Sequence, residues 1–181
     1  MKKYFSLLMV LCGVMILTGH AWALSITPDT TPTWTGSETA NMSASEIAAK
    51  VGFSGTLEEL YKIDVDDMQE SGSFASSYST VFDRTPDDPQ DATISYISGA
   101  YITGNPLYLY VKDGNSTPAY YIFDITAWNG QDTIELTGFW PQRGAISHLT
   151  ILGVTAVPEP AALILLGLGL LGIAGIRKMK S

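Results

Sequence analysis

The sequence predicts an all-β fold, a single β-sandwich or jelly-roll-like domain with one short N-terminal helix. Two observations lead to this prediction. Between residues 57 and 152, short runs rich in β-branched and aromatic residues alternate with turn clusters, the spacing typical of a sandwich. Once both apolar ends are set aside, residues 24–156 leave 133 residues, a normal length for one domain with its own core.

The elements follow in order along these 133 residues. Residues 25–41 are rich in Thr, Ser and Pro and predict an irregular lead-in with one edge strand near Trp34. A helix is predicted over residues 45–52, with Ser43 or Ser45 as its N-cap and Gly52 as its stop. The predicted strands are 57–65, 77–83, 92–97, 107–112, 119–125, 133–136 and 146–152. The predicted turns are 85–89, 104–106, 112–115, 128–130 and 139–141.

The run Leu-Tyr-Leu-Tyr-Val at residues 107–111 leaves two interpretations open. Aliphatic and aromatic residues alternate, so both faces of the strand can be covered, as in an inner strand of a sheet. Alternatively, one face carries exposed tyrosines.

The N-terminal segment predicts a secretory signal peptide over residues 1–23. Two lysines precede an apolar run over residues 5–17, and Ala21 and Ala23 are the small residues that a signal peptidase recognises. We therefore expect export and cleavage after Ala23 by signal peptidase. The single cysteine, Cys12, leaves with this segment, so disulfides are excluded in the mature chain.

Charge excludes one class of partner. Residues 24–156 contain five basic and seventeen acidic residues, a net charge of −12. Such a surface repels nucleic acid and anionic lipid headgroups, and it favours solubility and divalent cations. Nucleic-acid binding is therefore not expected.

The C-terminal segment, residues 157–181, has three parts. The first is the motif Val157, Pro158, Glu159 and Pro160, in which the prolines disfavour both helix and sheet. The second is an uncharged run over residues 161–176, which as a helix rises about 24 Å against a hydrocarbon core of roughly 30 Å. The third is a basic stop made of Arg177, Lys178 and Lys180 in a tail over residues 177–181, which the positive-inside rule keeps in the cytoplasm.

An ordinary membrane anchor and a buried core helix are the alternatives for the run at 161–176. The apolar character continues around every face of this helix, which disfavours burial in a soluble core. The three parts in this order resemble the PEP-CTERM sorting signal. This resemblance implies processing by an exosortase, a membrane transpeptidase of Gram-negative bacteria that make exopolysaccharide. The chain is then expected to cross the inner membrane, to span it transiently, and to reach the cell surface or extracellular matrix.

A second resemblance covers about 100 residues of the domain. Motifs such as Pro-Ala-Tyr-Tyr at 118–121, Trp-Asn-Gly at 128–130 and Gly-Phe-Trp-Pro at 138–141 look like the recurring ectodomain of small PEP-CTERM proteins. This resemblance supports the fold class and surface placement. No enzymatic activity can be carried over from it to this chain.

Acidic residues provide the candidate metal site. Residues 24–156 contain no cysteine and one histidine, His148, so a zinc site or a Cys/His nucleophile is not expected. Calcium prefers carboxylate oxygens, and two acidic groups offer them, although neither fits the EF-hand spacing. These groups are Asp64, Asp66, Asp67 and Glu70, and Asp83, Asp87, Asp88 and Asp91. The alternative is that both are solvated acidic loops.

Aromatic residues near turns provide the candidate glycan contacts. Trp128, Trp140, Tyr120 and Tyr121 can stack on sugar rings, or they can be core and corner residues of a small β domain. Paired carboxylates can also serve a glycosidase, but seventeen acidic residues form pairs by chance. His148 in a β-type run favours a structural hydrogen-bonding role, because no nucleophile-elbow pattern accompanies it.

The sequence therefore predicts a surface protein without enzymatic activity, a component of the cell surface or of an exopolysaccharide (biofilm) matrix. A calcium-assisted carbohydrate-binding module is the first alternative. A glycan-active hydrolase is the second.

Overall fold

A computed structural model describes residues 23–83, 88–113, 115–142 and 144–155. Within these ranges the chain forms ten strands, one α-helix and a single 3₁₀ turn at Ala75–Ser77. The elements are β1 (Ala23–Ile26), β2 (Thr33–Gly36), α1 (Ala44–Val51), β3 (Glu58–Asp64), β4 (Glu70–Ser71), β5 (Tyr78–Phe82), β6 (Ala92–Tyr96), β7 (Gly104–Lys112), β8 (Tyr120–Asp124), β9 (Thr133–Leu136) and β10 (His148–Thr155). The all-β prediction with one short helix is confirmed.

The predicted signal peptide, apart from Ala23, and the predicted membrane helix at 161–176 lie outside the described residues. None of the described helical segments has the length and apolar character of a membrane span.

The strands form two sheets. One has four strands in the order β1-β9-β6-β5, and the other has six in the order β2-β8-β7-β10-β3-β4. Neighbouring strands are antiparallel except for β1, which runs parallel to β9. Strand β10 lies between β7 and β3, so the last described strand is an inner strand of the larger sheet.

The main core takes side chains from both sheets. Ile94 and Ile134 of the four-stranded sheet belong to the same buried cluster as Leu109, Val111 and Leu149 of the six-stranded sheet. All five side chains are fully buried. Burial of an aliphatic side chain of this size contributes about 1.5–3 kcal/mol, so this shared cluster is the main source of stability.

A second buried cluster lies between α1 and the six-stranded sheet. Ile47 of the helix packs with Tyr108, Tyr110 and Ile122 of the sheet. Leu109 and Val111 point into the main core, so β7 is covered on both faces. The inner-strand interpretation of residues 107–111 is therefore confirmed.

Local sequence signals fix the ends of α1. The Ser43 side chain accepts a hydrogen bond from the Glu46 amide, and the Glu46 carboxylate accepts one from the Ser43 amide, which is a capping box. Gly52 ends the helix with φ 74°, a left-handed conformation that glycine adopts without strain. The prediction is confirmed, with the helix beginning one residue before the expected Ser45.

Two strands and one turn differ from the prediction. Strands β1 and β4 were not predicted, and they are only four and two residues long. Strand β1 pairs with β9, far along the chain, and β4 pairs with β3 directly before it. The turn predicted at 104–106 is wrong, because these residues extend β7 and pair it with the end of β10. Gly104 permits this pairing, since a Cβ there would collide with the carbonyl of Val154.

We expect Tyr78→Phe to lower the free energy of unfolding by about 1–3 kcal/mol. The buried Tyr78 hydroxyl donates to the Gly130 carbonyl and accepts from the Ile102 amide, both at 2.7 Å, so its removal leaves two buried polar groups unpaired. Urea denaturation measures the loss. The matched control is Tyr96→Phe, whose hydroxyl donates to the exposed Gly99 carbonyl. Equal losses in both variants would contradict this interpretation.

Candidate functional site in the loops at one end of the sheets

Three connections meet at one end of the six-stranded sheet. Strand β7 ends at Lys112, which pairs with His148 at the start of β10, and His148 pairs on its other side with Asp64 at the end of β3. The connection after β7 therefore lies beside the one before β10 and the one after β3. Two pockets are formed by these connections, together with parts of the β1–β2 and β5–β6 connections.

The carboxylate of Asp113 joins two of these loops. Its Oδ1 accepts from the amides of Asn115 at 2.6 Å and Ser116 at 3.1 Å, which shapes the loop after β7. Its Oδ2 accepts from the amide of Ala145 at 2.8 Å, in the loop before β10. Asp113 is buried, so these three bonds replace water as partners of its charge. Gly144 permits the approach, since a Cβ there would collide with the Asp113 carboxylate.

Lys112 supports the same loop from its other side. Its side chain is fully buried, and its ammonium donates to the carbonyls of Asp113 and Ala119 at the two ends of the loop. Burial lowers the pKa of Lys112, while Asp113 opposes that shift. The ammonium therefore serves as an internal partner for loop carbonyls and does not reach solvent.

The first pocket, the acidic pocket, has a volume of about 470 Å³. Carboxylates of Asp66, Asp88 and Asp113 line it, together with Asn115 and Ser147. The Asp113 carboxylate is already bonded to three amides. Asp66 and Asp88 are exposed to solvent.

The second pocket, the aromatic pocket, has a volume of about 620 Å³. Tyr121 and Trp140 form part of its wall, with three prolines from the neighbouring loops. Its polar lining groups come from Asp29, Thr117, Thr137 and Gln142. Ligand pockets are typically of this size, apolar with a few polar groups that fix orientation.

The two aromatic rings of this pocket are held rigidly. The Tyr121 ring packs at 5.3 Å from the ring of Trp140 and at 5.4 Å from that of Phe139. The Trp140 indole N–H donates to the Pro118 carbonyl at 2.7 Å, and its backbone adopts φ 49°. A positive φ is unusual for a bulky residue and costs about 1–3 kcal/mol. Burial, and to a lesser degree the nearby carboxylate of Asp29, raise the pKa of Tyr121.

The structure places the predicted glycan contacts in different environments. Tyr120 is fully buried beneath α1, and Trp128 is buried with its indole N–H on the Asp132 carbonyl. Tyr120 therefore has no free face for a sugar, and this contact is wrong. Trp128 lines a separate small pocket of about 230 Å³, so its contact stays a prediction. Trp140 is also mostly buried but lines the aromatic pocket, and Tyr121 beside it is partly exposed.

The described residues do not assemble the predicted calcium site. Within the described residues, no three His, Cys, Asp or Glu side chains are placed to hold a metal ion together. Asp64 is paired with Lys62 at 2.8 Å, and the side chains of Asp67 and Asp91 accept from the amides of Gln69 and Gly138. Asp66 and Asp88 share the acidic pocket, and Asp87 lies outside the described residues.

His148 is buried and uncharged at neutral pH. Burial lowers its pKa to about 4, Lys62 and Lys112 act in the same direction, and Asp64 opposes them. Its Nδ1 lies 3.8 Å from the Asp64 carboxylate, and its ring packs on Tyr110 at 5.4 Å. These contacts agree with the structural role favoured by the sequence.

The predicted processing residues lie mostly outside the described ranges. These are Ala21, Val157, Pro158, Glu159, Pro160, Arg177, Lys178 and Lys180. Ala23 is exposed at the start of β1, so cleavage after it would leave Leu24, Ser25 and Ile26 of that strand. The sequence did not indicate the roles of Asp29, Lys112 and Asp113. The only signal was Asp113 followed by Gly and Asn, a composition typical of a turn held by an Asp side chain.

Comparison with known proteins identifies one segment. The family model described as the PEP-CTERM protein-sorting motif matches residues 156–178. No curated protein and no solved structure matches the chain. The motif implies export as a membrane-anchored precursor, processing by an exosortase-type membrane enzyme, and placement at the cell surface or outside the cell.

We expect Asp113→Asn to lower the free energy of unfolding by about 1–3 kcal/mol. The new amide keeps an oxygen for Asn115 and Ser116 but places an NH₂ group against the Ala145 N–H. Urea denaturation measures the loss. The control is Asp124→Asn. The Asp124 carboxylate is exposed and accepts one hydrogen bond, from the Thr126 amide, so this change should alter stability by less than about 0.5 kcal/mol. A similar loss in both variants would exclude a special role for Asp113.

We expect stability to fall as the pH is lowered from about 6.5 to about 4, partly because of His148. The pKa is lower in the folded chain, so the unfolded chain binds more protons in this window. The contribution is at most roughly 3.5 kcal/mol, since one pKa unit corresponds to about 1.4 kcal/mol. Denaturation at several pH values should show a shallower decline for His148→Gln than for the wild type. Identical slopes would rule out this contribution.

Proposed function

We propose that this chain, which carries a PEP-CTERM sorting motif, is a non-catalytic component of the cell surface or of its exopolysaccharide matrix in a Gram-negative bacterium. The observation that supports the proposal is the motif match at residues 156–178, directly after β10. An exosortase-type enzyme would cut the precursor near Val157 to Pro160. The run at 161–176 would then be a temporary membrane helix.

The position of β10 suits this route. Strand β10 pairs with β7 and β3 along its length, and its last residue, Thr155, pairs with Gly104. The motif therefore follows an inner strand of the larger sheet and not a loosely attached edge. A connection of this kind keeps the folded domain in place while the following segment is gripped and cut.

The two ends of the described domain lie toward the same side. Ala23 lines a small pocket with Asp124 and Trp128, and Asp124 pairs with Tyr108 in the first half of β7. Thr155 also meets that half of β7, at Gly104. This arrangement supports a precursor in which a signal peptide and a C-terminal helix both enter the membrane from one end of the domain. The loop end, with both pockets, then faces away from the membrane.

The domain itself favours a binding or structural role over catalysis. The two sheets share one buried core, and we interpret this arrangement as the β-sandwich expected from the sequence. His148 is buried against Tyr110, so its ring is not open to a substrate. A purified protein that hydrolysed a polysaccharide, and lost this turnover when one carboxylate was changed, would contradict the non-catalytic proposal.

We expect the double substitution Pro158→Ala and Pro160→Ala to leave an unprocessed membrane precursor. The change removes both residues that keep the motif out of regular helix, so the following apolar run would extend through it. Membrane fractionation with antibody detection of the domain measures the retained fraction. The control is Pro141→Ala, an exposed proline in the loop before β10, which should be processed like the wild type. Normal trimming of the double variant would refute the exosortase route.

A further inference from the structure

We propose that the aromatic pocket binds a neutral or basic pyranose unit of a glycan. The inference deepens the proposed function by giving the surface protein a ligand class. It rests on that function only for the location of the glycan, at the cell surface or in its matrix. The binding chemistry itself rests on four features of the pocket.

The first feature is a partly exposed ring whose position is fixed. Tyr121 is half-buried, and its ring is packed against Phe123, Phe139 and Trp140. Tyrosine offers a large amphipathic surface and loses little conformational entropy when it binds. A ring already fixed by three neighbours loses less still, so its exposed part is a preorganised platform for the C–H face of a sugar.

The second feature is the conformation of Trp140. Its positive φ is strained, and its indole N–H is already bonded to the Pro118 carbonyl. Strain of this kind clusters at binding and catalytic sites, where it sets the shape of a pocket. The indole therefore acts as a fixed wall of the pocket and not as a donor to the ligand.

The third feature is the mixture of polar groups around the rings. Thr117, Thr137 and Gln142 are exposed and carry hydroxyl or amide groups that can donate and accept. Sugar hydroxyls also donate and accept, so they match this lining. An acyl chain or an apolar helix would leave these groups unpaired, which costs free energy.

The fourth feature is charge. Asp29 is exposed at the pocket, and a carboxylate only accepts hydrogen bonds. It suits a sugar hydroxyl or a protonated amino group and repels a uronic acid or a sulfate. The excess of twelve negative charges over residues 24–156 acts in the same direction. The volume of about 620 Å³ leaves room for one or two sugar rings.

Calorimetric titration of the exported protein tests the proposal, with oligosaccharides of a neutral β-glucan, of galactomannan and of chitosan as probes and alginate oligosaccharide as the acidic comparison. We expect saturable binding to at least one neutral or basic probe and none to alginate. Tyr121→Ala should weaken that binding about tenfold or more, and Tyr121→Phe, which keeps the ring, should stay within about threefold. Asp29→Asn should weaken the chitosan probe most, if that probe binds.

A second variant keeps the test valid if Tyr121→Ala unfolds. Gln142 is exposed, so Gln142→Trp fills the pocket without touching the core and should abolish binding. Asp132→Asn, in the small pocket at the other end of the domain, is the control and should bind normally. Absence of binding to every neutral and basic probe, binding to alginate alone, or binding unchanged by Gln142→Trp would overturn the proposal. Failed sorting with intact binding would overturn the proposed function alone.

Discussion

The pairing of β10 on both of its sides is the constraint on which the rest of the structure depends. Leu149 and Ile151 of this strand are fully buried in the core shared by the two sheets, while β7 and β3 hold its backbone. One end of the strand brings His148 to the loops, and the other leads into the sorting motif. An eight-residue strand spans about 26 Å, so β10 holds the pockets near His148 well apart from its other end at Thr155, which the sorting motif follows.

The loop end is built by charged groups that turn inward. The buried Asp113 carboxylate accepts hydrogen bonds from backbone amides of the loops, and the buried Lys112 ammonium donates to a backbone carbonyl. Most of the remaining acidic residues face solvent, as the composition implied. The aromatic pocket has a rigid part and a solvent-exposed part. Its aromatic rings are fixed by the core, while the carboxylate of Asp29 faces solvent. A rigid scaffold with polar loops at one end is a common way to place a binding site.

Sequence alone could predict the long strands, the capped helix and the sorting segment, because each has a local signal. The alternation at 107–111 left an inner strand and a strand with exposed tyrosines both open, and the structure decided between them because α1 covers the outer face. Strands β1 and β4 are too short to have such a signal. The residues of the candidate site were harder still to predict from the sequence. Tyr120 and Tyr121 are neighbours of one type, and alternation along β8 alone decides that one is buried and the other lines the pocket.

The central claim is that the chain is a sorted precursor whose folded domain is released from its membrane segments. The intact mass of the protein recovered from the cell exterior tests this claim most directly. We expect a chain that begins near Leu24 and ends near the motif at 157–160, with the mass of any group that the enzyme attaches. A recovered protein that still contained residues 161–181 would contradict it.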